Sequence, residues 1–413
     1  MKNLTYFILL ILLNCLSLSQ WIQQTSPVAS GLYDMQFIDI NTGWITGTNS
    51  VILKTTNGGA NWVQQTSPIP SLELNAIQML DVNTGYIAGW SNTIFKTTNS
   101  GINWWQLPGP FTVNGSLNDI FFINPNTGWT CAFQSVIWRT TNGGVSWDSL
   151  NSGGAGPLRN IQFLNSQTGW VAGDVGFIRK TTDSGLNWFF QFQGSNADYW
   201  YNALHFLNVN TGWLVGRNNR VFRTTNGGNQ WDTVSLISGG AVIRFVNEFT
   251  GWCGGSLSIS NQSVMFKTTN SGINWIEQNI LSSFGFCGSI WCVNDTTAWS
   301  TFGNKILHTS NGGTYVALEP VSNNFPTDFS LKQNYPNPFN PATTIEFELP
   351  KEDNIKILVH DILGREVHRI NENRMKAGKY KFEFNGLNLS SGIYFYTMYY
   401  SKGKTTKKMI LNK

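Results

Sequence analysis

One phrase recurs along this chain at a nearly constant interval: an apolar run, then Thr-Gly-Trp or a close variant, then Lys-Thr-Thr-Asn-Gly-Gly-x-x-Trp. The phrase closes at Trp62, Trp104, Trp147, Trp188, Trp231, Trp275 and Tyr315, at spacings of 42, 43, 41, 43, 44 and 40 residues. A period of that size, filled with short strands, is the signature of a propeller blade. One small sheet cannot bury both of its faces, so it stacks against copies of itself. Each period reads as four strands. In the second they are Leu74–Leu80, Gly85–Gly89, Thr93–Thr98 and Asn103–Leu107, from innermost to outermost. Asn-Thr-Gly and Asn-Ser-Gly mark the first and last connections with residues that tolerate positive φ. The expected fold is all-β, a seven-bladed β-propeller over residues 20–319, with the paired Trp of each phrase filling the space between blades.

The ends of the repeat predict how such a ring closes. Trp21-Ile22-Gln23-Gln24-Thr25-Ser26-Pro27 nearly duplicates Trp62-Val63-Gln64-Gln65-Thr66-Ser67-Pro68, so the first segment is an outermost strand without a blade of its own. The seventh box ends in Thr314-Tyr315 where Asn-Trp is usual. The N-terminal strand is therefore expected to complete the seventh blade by pairing near Lys305–Thr309.

Ahead of the repeat, Lys2 and the apolar run Tyr6–Leu13 precede the small residues Ser17 and Ser19, which predicts a signal peptide over residues 1–19. A lipoprotein reading would use Cys15, but Asn14 is bulky for the position before a lipidated cysteine. The run is too short to span a bilayer, and no other stretch is long enough. Export permits disulfides. Yet Cys287 and Cys292 sit five apart on one expected strand and match no zinc spacing, so buried free thiols are the simpler reading for them and for Cys131 and Cys253. Charged residues are only 12% and the net charge of +4 forms no patch in the repeats. With no helical or aromatic-basic motif, nucleic acid is not an expected partner.

Past a Pro- and Asn-containing linker at 320–328 the pattern changes. Alternation in Ile345–Leu349, Ile355–Val359, Tyr380–Phe384 and Ile393–Met398, broken by Gly-containing turns, reads as a small Ig-like antiparallel β-sandwich over residues 329–413. Three prolines at 336, 338 and 341 enforce an extended lead-in.

Two resemblances follow from these motifs. The boxes resemble the Asp-box, or bacterial neuraminidase repeat, with Asn at 57, 99, 142, 226, 270 and 311 where that repeat has Asp; Asp183 alone keeps it. The longer phrase is similar to the photosystem II assembly-factor and sortilin-like propellers. The resemblance implies a fold and no particular activity, since Asp-boxes are hairpin turns in families of unrelated function. The last segment resembles the type A C-terminal sorting domain of the type IX secretion system of Bacteroidota. The residues that carry it are Asn334, Tyr335, Pro336, Asn337, Pro338 and Phe339, then Gly364 and Arg365, Gly392 and Tyr394, and Lys408 and Lys413. It implies periplasmic transit, type IX machinery as a partner, and a secreted or surface-attached product.

Candidate ligand-binding residues come from two places. The longest loop between blades, Phe189–Tyr201, carries Tyr199, Trp200 and Tyr201, which suit stacking on a sugar or anchoring a protein; packing on its own aromatics is the plainer reading. Aligning the innermost strands puts Gln36, Gln78, Phe121, Gln162, His205, Arg244 and Trp291 in one register facing the channel. Of these Gln36, Gln78, Gln162, His205 and Arg244 are candidates for ligand contact, against a reading in which they bond one another and water. A glycoside hydrolase or lyase is the alternative function, and a structural surface-layer role a third. The best carboxylate pair for catalysis is Asp34 and Asp119, but a polar strand entry explains both. No phosphate loop, Ser-His-Asp order or metal-spaced His cluster occurs, so no cofactor or metal is expected. The expected function is non-catalytic binding of a protein or glycan.

Overall fold

The structure, a computed structural model, describes residues 21–109, 115–154, 156–191, 201–216, 220–237, 239–257, 262–278, 280, 285–312, 326–375, 377–386 and 389–413. The expected signal peptide, Tyr199, Trp200 and most of the expected linker lie outside these residues. The chain divides into two compact units, Met1–Gly313 and Thr314–Lys413. Among the described residues the regular elements are strands, apart from one turn of 3₁₀ helix at Thr48–Ser50.

The first unit holds seven four-stranded antiparallel sheets among the described residues. Six are built from consecutive strands, such as Leu74–Met79, Gly85–Gly89, Ile94–Thr97 and Trp105–Leu107. The seventh takes its outer strand from the other end of the chain. Ile22–Gln24 pairs with Lys305–Thr309, with Ile22 opposite His308 and Gln24 opposite Ile306, the pairing that the sequence duplication requires. Trp21 thereby supplies the closing tryptophan of that sheet, fully buried in the apolar cluster that also holds Trp252, Cys292 and Leu307. Each inner strand lies beside the inner strand of the next sheet, and Cys287–Cys292 lies beside Leu32–Phe37.

The Trp of Thr-Gly-Trp and the Trp of the box meet on one phenylalanine. Phe163 stacks on Trp129 of the preceding sheet at 3.6 Å between centroids and meets its own box Trp188 edge-on at 5.9 Å. Phe206 and Phe245 repeat the arrangement, and Phe37 makes it with Trp299 and Trp62. Aromatic pairs in these geometries contribute about 0.5–1.5 kcal/mol beyond their burial. Indole N–H groups then reach the following boxes: Trp170 donates to Gly227 O and Trp299 to Gly58 O.

The box itself is a side-chain-bonded turn. Thr55 Oγ1 accepts the amides of Asn57 and Gly59, and Asn57 Oδ1 accepts the amide of Asn61. Thr224 and Asn226 do the same, as do Thr181 and Asp183. Only a side-chain oxygen is needed, which is why Asn stands for Asp. Gly59, at φ +86°, sits where a side chain would be strained.

The second unit has two antiparallel sheets sharing one apolar core that includes Ile345, Phe347, Ile357, Tyr396 and Met409. One sheet is Ser330–Leu331, Ala342–Leu349 and Gly378–Asn385. The other runs Glu366–Met375, Asp353–Asp361, Gly392–Tyr400 and Gly403–Leu411. Met1–Lys413 contains no helix, among the described residues, long and apolar enough to cross a membrane.

Candidate functional site

The inner strands of all seven sheets line one cavity of about 290 Å³, and the aligned register faces it. Most of that register joins one sheet to the next. Gln36 donates Nε2 to Met79 O at 2.9 Å and accepts the Met79 amide at 2.6 Å. Gln78 clamps Phe122 through the same two bonds, and Gln162 clamps Phe206 at 2.9 and 2.8 Å. His205 Nδ1 accepts the Phe245 amide at 3.2 Å; burial holds its pKa well below the usual histidine value, with Arg244 adding to the effect. A neutral ring is the form that can accept this bond. Phe121 replaces the clamp with contact to the Phe163 ring at 6.5 Å.

A neighbouring row does the same with shorter side chains. Asp34 Oδ2 accepts the Ile77 amide at 2.9 Å, while Oδ1 takes the Met35 amide and the Ser289 hydroxyl at 2.8 Å each. Asp119 Oδ2 accepts Ile161 N–H and Asn160 Nδ2, and Oδ1 accepts Ile120 N–H. Burial pushes both carboxyls up, Asp119 to about 8, against the pull of those donors. Asn75 and Asn118 likewise donate across to Leu117 O and Leu158 O. Arg159 is paired with Asp174 through two bonds of 2.9 Å.

Arg244 departs from this pattern. Its guanidinium lies 3.5 Å from the centroid of the Trp291 ring, on the next sheet, and among the described residues it makes no hydrogen bond or ion pair. Burial lowers its pKa while Cys292, Asp34 and Asp119 oppose that shift. A planar cation on an aromatic face keeps its edge N–H groups free for a bidentate partner. Trp291 was visible in the aligned register, but its role as a platform depends on which residue precedes it around the ring, and that is a spatial fact.

The loop candidates fare differently. Tyr201 is not an exposed loop residue: it begins the inner strand Tyr201–Phe206, is 1% exposed and sits edge-on to Phe222. A β-bulge between Tyr201 and Ala203 shifts the register and sets Tyr201 in the core with Leu204 and Phe206. Phe189 and Phe190, at the start of the same connection, are exposed. The cysteines at 131, 253, 287 and 292 are buried and free.

In the second unit the motif residues are mostly structural. Asn334 is buried; its amide N–H donates to Tyr396 Oη and its Nδ2 to Pro336 O and Thr343 Oγ1. Asn337 Oδ1 accepts the Ile410 amide, and Phe339 packs edge-on against Phe384. Gly364, at φ +79°, turns the chain before Arg365, which bonds Asp361 at 2.7 Å. Tyr394 donates to Ser390 O, Gly392 pairs with Leu411, and Lys413 N–H donates to Ser391 Oγ. The Lys408 side chain is exposed, as is Tyr335.

Residues 13–162 and 155–346 match the family model described as photosynthesis system II assembly factor YCF48, and residues 333–412 match that of the secretion system C-terminal sorting domain. No curated protein matches the chain. Among solved structures, YCF48 bound to a D1 peptide is 18% identical, with 71% of this chain and 98% of that one covered and a TM-score of 0.59. PorZ of Porphyromonas gingivalis, a surface component of the type IX secretion system, is 14% identical over 94% of this chain and 61% of its own, at 0.54. A GH74 xyloglucanase from Xanthomonas campestris is 10% identical over 80% and 59%, at 0.58. These likenesses establish a β-propeller.

Proposed function

For a chain that belongs to the photosynthesis system II assembly factor YCF48 family and ends in a type IX sorting domain, we propose an exported, non-catalytic binding module: a seven-bladed propeller that holds a carboxylate-bearing group of a protein or glycan at Arg244. The sorting domain implies type IX machinery and delivery to the cell surface or the medium. Seven blades are supported by the seven sheets and by the pairing of Ile22–Gln24 with Lys305–Thr309. The two sheets of the second unit support an Ig-like sandwich.

One observation carries the binding assignment. Every other polar side chain of the aligned register is committed to the next sheet, whereas Arg244 rests on Trp291 with its hydrogen-bonding edge unspent. A guanidinium in that state suits a carboxylate, which it meets with two parallel bonds. The solved YCF48 complex, with a peptide as its ligand, makes a protein segment a reasonable source of that group. A glycosidase would need two carboxylates free to act across one sugar at about 5–10 Å. Asp34 and Asp119 instead spend their oxygens on backbone amides.

The test compares full-length wild type with Arg244→Gln against acidic peptides and uronate-containing oligosaccharides by calorimetry. Glutamine occupies this register in three other sheets, so the variant keeps the local geometry. Saturable binding that falls at least about tenfold in the variant is expected for a lost charge-assisted pair. Binding of equal strength in both proteins removes Arg244 from the site.

A further inference from the structure

The inner strand of each propeller sheet is an edge strand, so alternate amides along it point away from its own ladder and toward the channel. A β-bulge near the start of every inner strand sets the residue after it in a common row around the channel, to which Asp34, Asp119, Asn160, Val242 and Ser289 belong. The amide that follows each row residue needs an acceptor, and the row supplies it. Asp34 spans two sheets, taking the Met35 amide at 2.8 Å and the Ile77 amide at 2.9 Å. Asp119 spans the next pair, Ile120 and Ile161, at 2.8 Å each. Asn160 Oδ1 then accepts the Leu204 amide at 3.3 Å.

The series stops at the sixth and seventh sheets. Ile243 and Ile290 hold the equivalent places on the inner strands Gly240–Phe245 and Cys287–Cys292, which lie side by side. The residue that stands where Asp34 and Asp119 stand is Val242, which offers no oxygen, and Ser289 gives its hydroxyl to Asp34. Among the described residues no side chain accepts the Ile243 or the Ile290 amide. A gap in an otherwise filled series of channel amides marks the place of a missing acceptor. Two residues beyond Val242, on the same face of the strand, stands Arg244, which among the described residues has no ion pair. Arg159, the other guanidinium lining the channel, is already spent on Asp174. The unfilled place is therefore the one with an unpaired cation beside it.

We propose that the Ile243 and Ile290 amides and the Arg244 guanidinium form one receptor for a carboxylate on a methylene stem, which takes the place that the Asp34 and Asp119 side chains fill elsewhere in the ring. The inference rests on the assignment of ligand capture to Arg244; it names the rest of that site and the chemistry of its ligand. The carboxylates already in the channel each hang from one methylene and bridge amides of two sheets, so a ligand of the same form fits the same spacing. Val242 and, on the preceding inner strand, Ala203 give that part of the channel wall an apolar surface. Such a wall suits a bare stem and offers no partner to the ring hydroxyls of a uronate. Amides that meet a charged acceptor make the stronger class of hydrogen bond, and strands that are fixed beforehand lower the ordering cost of binding. A free aliphatic acid and an acidic side chain of a protein both carry this group.

The experiment titrates the full chain by calorimetry with propionate, with an end-capped tripeptide carrying one central aspartate, and with glucuronate. Val242→Asp supplies from the chain itself the carboxylate assigned to the ligand. Arg244→Gln removes the cation, and Val63→Asp adds the same negative charge on an exposed outer strand. Propionate or the peptide is expected to bind wild type and Val63→Asp alike, at least about tenfold more tightly than glucuronate does. Both Val242→Asp and Arg244→Gln should weaken that binding at least about tenfold. The tighter of the two stemmed probes tells a free acid from a protein side chain as the source. Loss in Arg244→Gln with undiminished binding in Val242→Asp overturns the amide receptor and leaves Arg244 as the site. Glucuronate binding as tightly as the stemmed acids overturns the ligand class. No binding of any probe, or binding that Arg244→Gln does not weaken, overturns the Arg244 assignment and this inference with it. Urea titration checks that each variant is folded. If Val242→Asp does not fold, Val242→Asn replaces it, offering one amide an oxygen as Asn160 does, and undiminished binding there is the overturning result.

Discussion

In the sheets of the first unit the recurring residues are turned inward: Trp129, Trp170 and Trp213 are fully buried, the box Thr and Asn bond their own turn, and Gln36, Gln78 and Gln162 clamp the next sheet. In the second unit Asn334 and Phe339 behave in that way, but the motif turn after Asp361 leaves Ile362 and Leu363 in solvent. The difference teaches how to weigh a motif. What repeats seven times must satisfy seven equivalent interfaces, so it records packing. What occurs once and stays exposed is free to record recognition. Within the ring itself the same rule singles out Arg244, the polar side chain of the register that makes no clamp to the next sheet.

The sharpest way to break the comparison is at the ring's seam. Trp21→Ala removes a fully buried indole that closes the seventh sheet from the far end of the chain. The expected loss is about 3–5 kcal/mol, as for other buried Trp or Phe truncations. All 18 tryptophans precede residue 314, so tryptophan fluorescence in a urea titration follows the first unit alone. The second unit, followed by protease resistance, should be unchanged. Leu363→Asn, by contrast, should leave both transitions in place.

Next comes the polar lining. Asp119→Asn can keep one oxygen for Ile161 N–H and Asn160 Nδ2, but its NH2 then replaces the oxygen that accepts the Ile120 amide and leaves a buried donor facing another donor. A loss of about 1–3 kcal/mol is expected. The pH dependence sharpens the point. A folded-state pKa of about 8, above the unfolded value of 3.8, means that the native state holds a proton the unfolded chain has released. This contribution to stability is complete below pH ~4 and is lost as pH rises through about 8. The urea midpoint of wild type should therefore decline over that window more steeply than that of Asp119→Asn; parallel slopes would show that Asp119 stays ionised in the fold.

Much of this was legible beforehand, for a physical reason. A repeat presents each contact several times, so the strands of the second sheet, the inward Trp pair and the pairing of Ile22–Gln24 with Lys305–Thr309 could be read from periodicity and one duplication. The partner of a channel side chain could not be read in this way. Gln36 reaches Met79 and Asp119 reaches Ile161, more than forty residues on, and spacing does not say which atoms a side chain meets. Tyr201 was misplaced because an aromatic run after a long loop looks the same whether it is loop or the first turn of the next strand. A β-bulge between Tyr201 and Ala203 decides: it sets Tyr201 in the core with Leu204 and Phe206, where strict alternation would place it on the His205 side.

The box offers a paired prediction of smaller size. Thr224→Val deletes the oxygen that accepts both Asn226 and Gly228 amides and should cost about 1–2 kcal/mol by urea titration. Asp183→Asn keeps an acceptor where six other boxes already use Asn, so its midpoint should move by no more than about 0.5 kcal/mol. Equal losses in the two variants would mean that charge, and not the acceptor oxygen, holds the turn.

The smallest expected effect is the most diagnostic. Arg244→Gln replaces a cation lodged on Trp291 by the residue that clamps the next sheet at Gln36, Gln78 and Gln162. If Arg244 were part of the scaffold, its removal would cost stability on the scale of the Asp119 change. If it is held ready for a ligand, the substitution gives up a stacking contact and relieves the desolvation that lowers its pKa. A new clamp onto the Cys292 backbone would then offset the lost contact. The urea midpoint should stay within about 0.5 kcal/mol of wild type, or rise. A loss above about 2 kcal/mol would return Arg244 to the packing side of the comparison.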